Sequence, residues 1–217
     1  MDIICNKRVW YTRERNGVFI VDFDENSFFS IMEEIAQGRD ISISDIPDIE
    51  LYMDQVTTFI DNKLGYHKRT LKDKILTKTM INNYTKSKIL LPSKNKKYNR
   101  QHMILLILIY YLKQILSIND INSLFTPLFK NMASSNDGMD YLGSLYNSFL
   151  NVKDNCAGDL KEILSQKLKL IDDKAEEVPG ESKETSRILL TVLMLVATAS
   201  MQKRIAEKII DDYMQKK

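Results

Sequence analysis

Apolar positions recur at three- and four-residue intervals along most of the chain, which puts them on one face of a helix. Over residues 24–37 they are Phe28, Phe29, Ile31, Met32, Ile35 and Ala36, with Gly38 as the stop. Leu51, Tyr52, Val56, Phe59, Ile60 and Leu64 mark a second amphipathic helix over 49–64, ended by Gly65. The pattern then shortens. Before Pro92, Met80, Ile81 and Tyr84 share one helical face while Lys78, Thr79, Asn82, Asn83 and Lys86 share the other. This predicts a short helix around 78–88, with Thr77 or Thr79 as its cap. "SKNKKY" is long enough for a small wing, and Asn99 is a good cap for a helix over 100–116. The apolar run of that helix is nearly continuous, so it should be buried on most sides. A short helix over 119–125 is expected to stop at Pro127.

A polar break, "NMASSNDGMD", precedes amphipathic helices over 139–152 and 159–174, and "EEVPGESKETS" (176–186) reads as a linker. The last helix runs from 187 to about 214. Ile188, Val192, Leu195, Ala199, Ala206, Ile209 and Tyr213 mostly follow 3–4 spacing, with polar Gln202 interrupting. Its first half is apolar all round and needs other helices or a second subunit to enclose it. Residues 1–23 read differently: Asn16-Gly17 between two β-prone runs signals a hairpin, either docked on the helices or extending from them. The expected fold is mainly α. An N-terminal extension (1–23) with a small β-hairpin leads into a helical domain (24–130) and a C-terminal helical section (131–217).

Few Gly and Pro (7 and 4) agree with long helices. Cys5 and Cys156 stand far apart without a CxxC partner, so neither a disulfide framework nor a cysteine zinc site is expected, and a reducing cytoplasm fits. No signal-type apolar region opens the chain. The apolar runs at 103–112 and 188–201 fall short of the roughly 20 residues a spanning helix needs, so no membrane partner is expected. The net charge of +2 conceals a polarity. Residues 63–100 hold twelve basic residues and one acid, a net of +11; the remainder holds nineteen basic and 28 acidic residues, a net of −9. A polyanionic partner is the economical explanation of such a segment.

The order helix, connector, short polar-faced helix, basic loop, buried helix is the plan of a winged helix-turn-helix. In such a unit the second helix enters the major groove and flanking cations hold phosphate. "TMINNYTKSKILLP…KKYNRQHMILLILIYYLKQILSINDI" resembles the MerR-type DNA-binding domain, with Ile81, Tyr84, Leu90, Tyr98, Asn99, Leu105 and Ile121 in the matching places. It is more closely similar to an uncharacterised bacterial family, domain of unknown function 1836, through "IPDIELYMDQV", "LTKTMINNYTK" and "KKYNRQHMILLILIYYLKQILSINDI". The resemblance covers roughly 28–130. It departs from MerR relatives at Asn82, where they usually carry a phosphate-binding Arg, in a shorter wing, and in the longer connector "GYHKRTLKDKI". Phosphate contacts could accordingly have moved to Lys68, Arg69, Lys72 and Lys74.

These readings make double-stranded DNA the expected partner of a homodimeric regulator. Its contacts would come from Lys78, Thr79, Asn82, Asn83, Tyr84, Lys86, Lys88, Lys94, Lys96, Lys97 and Arg100. An Asn amide suits the N6/N7 edge of adenine, the plainer alternative being that Asn82 and Asn83 only solvate an exposed face, and Tyr84 could equally be a core aromatic. The alternative is a protein–protein adaptor built on the same fold, its basic face meeting an acidic partner. No glycine-rich phosphate loop, GxSxG or HExxH stretch is present. The histidines, His67 and His102, are isolated, and Asp172-Asp173 and Asp211-Asp212 read as solvated helix surface, so neither an enzyme nor a cofactor is expected.

Overall fold

A computed structural model of the chain describes residues 12–15, 18–21, 23–36, 38, 40–70, 72–134, 138–180 and 182–214. Along these run β1 (Thr12–Arg15), β2 (Val18–Val21), α1 (Glu25–Ala36), β3 (Leu51–Tyr52), α2 (Met53–Leu64), α3 (Lys78–Lys86), β4 (Lys97–Tyr98), α4 (Arg100–Leu112), α5 (Ile118–Ser134), α6 (Gly138–Glu177) and α7 (Lys183–Tyr213). The fold is mainly α, as the periodicity predicts. The chain forms two compact units: Met1–Ala36 with Asp159–Ala197, and Gln37–Gly158 with Thr198–Lys217.

In the second unit α4 is the central post. Met103, Ile104, Leu105, Leu106 and Ile107 are all buried, and five successive residues cover every side of a helix. Asn99 caps α4, its side chain accepting from the His102 N–H (3.2 Å), as expected. Around the post lie Val56, Ile60 and Leu64 of α2, Ile81 and Tyr84 of α3, Ile121 and Phe125 of α5, and Leu142 and Tyr146 of α6. The Asp40 carboxylate pins the start of the unit by accepting from the Tyr111 hydroxyl (2.5 Å) and pairing with Lys153 (2.6 Å). Tyr146 adds a hydroxyl bond to the Ile41 carbonyl (2.6 Å).

Three sequence expectations are corrected here. Helix α2 begins at Met53, not 49, because Leu51 and Tyr52 pair antiparallel with Tyr98 and Lys97, and the Gln55 side chain caps the Tyr52 N–H (2.8 Å). Pro127 does not stop α5. The missing N–H and ring clash cost about 3 kcal/mol in a helix interior. Burial of Ile121, Phe125 and Leu128 along one face recovers about 1.5–3 kcal/mol each, which wins. The helices read over 139–152 and 159–174 are one continuous α6. Gly158 costs only about 1 kcal/mol inside it, while buried Leu142 and Tyr146 anchor one half and Leu164, Leu168 and Ile171 the other.

In the first unit, Phe28 of α1 packs on Leu164, Leu168 and Ile171 of α6, with Leu190 and Met194 of α7 against them. Asp24 caps α1 by accepting from the Ser27 N–H (2.7 Å). Arg187 joins three elements: it pairs with Asp172 (2.6 Å) and donates to the Phe23 carbonyl (2.8 Å). Asp172 is therefore a partnered residue rather than solvated surface. The strands of the N-terminal hairpin are present, β1 pairing antiparallel with β2; its turn, Asn16-Gly17, and Cys5 lie outside the described residues. By length and composition α7 is long and apolar enough to cross a membrane, which counting only the run 188–201 did not reveal. Among the described residues the enclosure expected for its first half is partial: Thr191 is buried and Leu190 and Met194 are packed, while Leu189, Val192, Leu193 and Val196 are exposed.

Candidate nucleic-acid interface

Helix α3 is held as a two-sided element. Thr77 begins it, its hydroxyl accepting from the Met80 N–H (3.2 Å). Ile81 and Tyr84 enter the core, so Tyr84, at 5% exposure, supports the helix from within and is not on the outward face expected of a DNA contact. Burial raises the Tyr84 hydroxyl pKa, keeping it neutral. Lys78, Thr79, Asn82, Asn83 and Lys86 are exposed on the outer face. The helix ends when Lys88 turns to φ 59°, and the Ile89 and Leu90 N–H groups both bond the Tyr84 carbonyl (3.0 and 3.2 Å). Asn122 of α5 donates to the Ser87 carbonyl (2.6 Å), so the last turn is fixed from a second side. That anchor was not singled out in the sequence, where it sits among ordinary polar positions.

The basic loop closes as a tight turn. The Lys97 N–H bonds the Lys94 carbonyl (2.9 Å), with Asn95 and Lys96 at φ 51° and 61°. Beneath it His102 is buried, with Nε2 3.2 Å from the Pro92 carbonyl and the Asn99 N–H donating to Nδ1 (3.2 Å). Nδ1 also lies 2.6 Å from the Asn99 side-chain oxygen, so the cap and the ring hold each other. Burial, the dominant effect, lowers its pKa, while the carbonyl partly opposes that. His102 thus joins the base of the wing to the start of α4, a positioning role invisible to a search for catalytic pairs.

The charge of this region differs from the sequence expectation. Five of the twelve cations find acids just upstream of the basic segment. Lys63 pairs with Asp45, Lys68 with Asp61, Lys78 with Asp54, Lys97 with Glu50 (3.6 Å) and Arg100 with Asp48 (3.8 Å). Arg100 also donates to the Ile46 carbonyl (3.1 Å), and Lys97 stands 5.6 Å over the Tyr52 ring. Lys97 and Arg100 therefore brace β3 and β4 as well as carrying charge. Among the described residues, Arg69, Lys72, Lys74, Lys86, Lys88, Lys94 and Lys96 make no ion pair. A cleft of about 820 Å³ lies beside α3, with Lys68, Lys72, Lys74 and Lys78 around it and Asp61 and Asp73 among them. Among the described residues no group of three or more His, Cys, Asp or Glu could hold a metal ion.

A mostly helical unit with a two-stranded brace and one outward-facing polar helix defines the class. The chain belongs to the family described as Domain of unknown function (DUF1836), whose family model matches residues 41–149. That match begins beside the Asp40 anchor and ends within α6. No curated protein and no solved structure matches the chain.

Proposed function

We propose that the chain is a DNA-binding transcriptional regulator with a MerR-like winged helix-turn-helix. In this reading α2 and α3 are the helix pair, α3 enters the major groove, and the Lys94–Lys97 turn is the wing. One observation carries it. Helix α3 is fixed in the core by Ile81 and Tyr84 and turns Thr79, Asn82, Asn83 and Lys86 to solvent, and the turn that follows it in the chain bears Lys94 and Lys96, which make no ion pair among the described residues. Asparagine amides match the adenine edge, and the lysines match phosphate on either side. Tyr84, Lys97 and Arg100 then position the interface from within.

The test is fluorescence anisotropy of the full chain on duplex fragments, including its own promoter, across a salt series. Affinity should fall linearly in log–log form as salt rises, and Asn82→Ala combined with Lys96→Ala should weaken it at every salt. A flat salt dependence, or affinity unchanged in the double variant, overturns the reading. A single stoichiometric protein partner captured without DNA enrichment would point instead to an adaptor on the same fold.

A further inference from the structure

The cleft beside α3 keeps a set of polar groups that the fold does not use. Its walls are an outer side of α2, the connector around Lys68, Lys72 and Lys74, and the start of α3. At about 820 Å³ it falls within the roughly 300–1,000 Å³ of small-molecule sites. Most such sites are chiefly apolar, whereas here Leu76 is the one apolar residue among the described lining. The walls are fixed by the chain itself. The Asp73 N–H bonds the Thr70 carbonyl (3.1 Å), and the Asp73 carboxylate accepts from the Thr70 N–H and hydroxyl (both 2.9 Å), which closes the connector turn. Just beyond, Lys113 of α4 donates to the Ile75 carbonyl (3.2 Å). The Thr57 hydroxyl is engaged by the Asp54 carbonyl (3.0 Å) and the Thr77 hydroxyl by the Met80 N–H (3.2 Å). Lys68, its side chain 17% exposed, pairs with Oδ2 of Asp61 (2.7 Å).

What remains on the walls has a definite chemistry. Among the described residues Lys72 and Lys74 make no ion pair, Thr58, Asn62 and Thr79 make no side-chain hydrogen bond, and Asp61 keeps Oδ1. The two ammonium groups match phosphate. The Asp61 oxygen can only accept, so its partner must carry a donor. A DNA backbone has none to offer, since its phosphates are ionised and its deoxyribose carries no hydroxyl. A sugar offers several hydroxyls, each of which donates and accepts, and they suit a carboxylate, an amide and a threonine set close together. No aromatic side chain lines the cleft among the described residues, so a nucleobase would find no ring on which to stack.

We propose that this cleft binds a phosphorylated sugar, its phosphate held by Lys72 and Lys74 and its hydroxyls by Asp61, Asn62 and Thr58. Lys78 and Thr79 line the same cleft and also belong to the outward face of α3. An occupant therefore meets two of the residues assigned to DNA, and the site stands whether or not α3 reads DNA.

Isothermal titration calorimetry of the full chain without DNA tests it, with ribose 5-phosphate, glucose 6-phosphate and fructose 1,6-bisphosphate as probes and inorganic phosphate as the reference. At least one sugar phosphate should bind once per chain and more tightly than inorganic phosphate. Lys72→Ala combined with Lys74→Ala should weaken that binding by roughly tenfold or more, with an unchanged far-UV circular dichroism spectrum. Asp61→Ala separates the two parts of the ligand. It should weaken the sugar phosphate about fivefold by removing the hydroxyl acceptor, yet tighten inorganic phosphate by removing a negative charge and freeing Lys68. The proposal is overturned if no sugar phosphate binds more tightly than inorganic phosphate, or if the lysine pair can be removed without effect. Asp61→Ala tightening both ligands also overturns it and makes the cleft a groove for bare phosphate.

Discussion

Lys88 and Lys96 occupy backbone positions that favour glycine, which makes them the most informative residues to change. Asn95 and Lys96 are the central pair of a two-residue turn with both φ angles positive, where Asn-Gly is the preferred sequence. Lys88 stands just past the end of α3, where glycine is again usual. A non-glycine residue in the left-handed region costs about 1–2 kcal/mol, and the extra freedom of glycine in the unfolded chain returns about 0.5–1 kcal/mol. Lys88→Gly and Lys96→Gly should therefore each stabilise by about 0.5–1 kcal/mol, a rise in Tm of about 1–4 °C for a chain of this size. If the two lysines hold phosphate, each substitution also removes one neutralised charge. The slope of log K against log salt should then become shallower by about 0.9 per lysine.

The assay pairs thermal unfolding with a salt series of anisotropy titrations on one duplex. Asn95→Gly is the control: it relaxes the same turn without removing a cation, so it should raise Tm and leave the slope alone. A Lys96→Gly protein that is more stable and binds with an unchanged slope would show that the lysine serves only the turn. A Lys96→Gly protein that is less stable would falsify the strain argument itself.

Three further outcomes follow from the packing. Gly158→Ala should stabilise by about 1 kcal/mol in a chemical melt, because α6 is continuous there and an added Cβ meets no atom within 4 Å; a loss would mean that the helix breaks at this glycine. Asp40→Ala should cost about 2 kcal/mol by stranding the Tyr111 hydroxyl and Lys153, and a Tm within 1 °C of wild type would refute Asp40 as the anchor of the unit. Both histidines have lowered pKa values, His67 chiefly through burial and then the Lys153 charge, His102 chiefly through burial. Their contribution is complete above the unfolded value of about 6.5 and is lost as pH falls through the lower folded values, so urea stability should be level from pH 8 to 7 and lower at pH 5.5; equal stability at pH 7.5 and 5.5 refutes this.

The periodicity located α1, α3 and α4 because their burial is decided locally, by one apolar face or by a core run. It failed where a distant partner decides. Leu51 and Tyr52 have helical spacing but are drawn into a strand by Lys97 and Tyr98, about 45 residues on. Pro127 carries a strong local stop signal, overridden by the burial of Phe125 and Leu128. Gly158 and its polar neighbours look like a boundary, yet the helix is held from both sides of them. For the candidate site, the outward face of α3 was legible from spacing alone. Asn122 and His102 were not, because their roles come from carbonyls at Ser87 and Pro92 that only the fold brings near.

Charge shows the same limit most sharply, and it sets a number for binding. A window over 63–100 holds twelve cations and one acid, but five acids between Asp45 and Asp61 fold back onto five of those cations. These exposed pairs contribute only about 0–1 kcal/mol each to stability. Their larger consequence is competitive, since Lys78 can hold a phosphate only by releasing Asp54. Seven cations remain without an ion partner among the described residues. A duplex neutralised by seven cations gives a log–log salt slope of about −6, whereas twelve would give about −11. A slope of −6 or shallower means that the internal pairs persist in the complex. A slope near −11 would refute that, and it would mean that DNA displaces the acids of the α2 segment and reorganises the face that α3 presents.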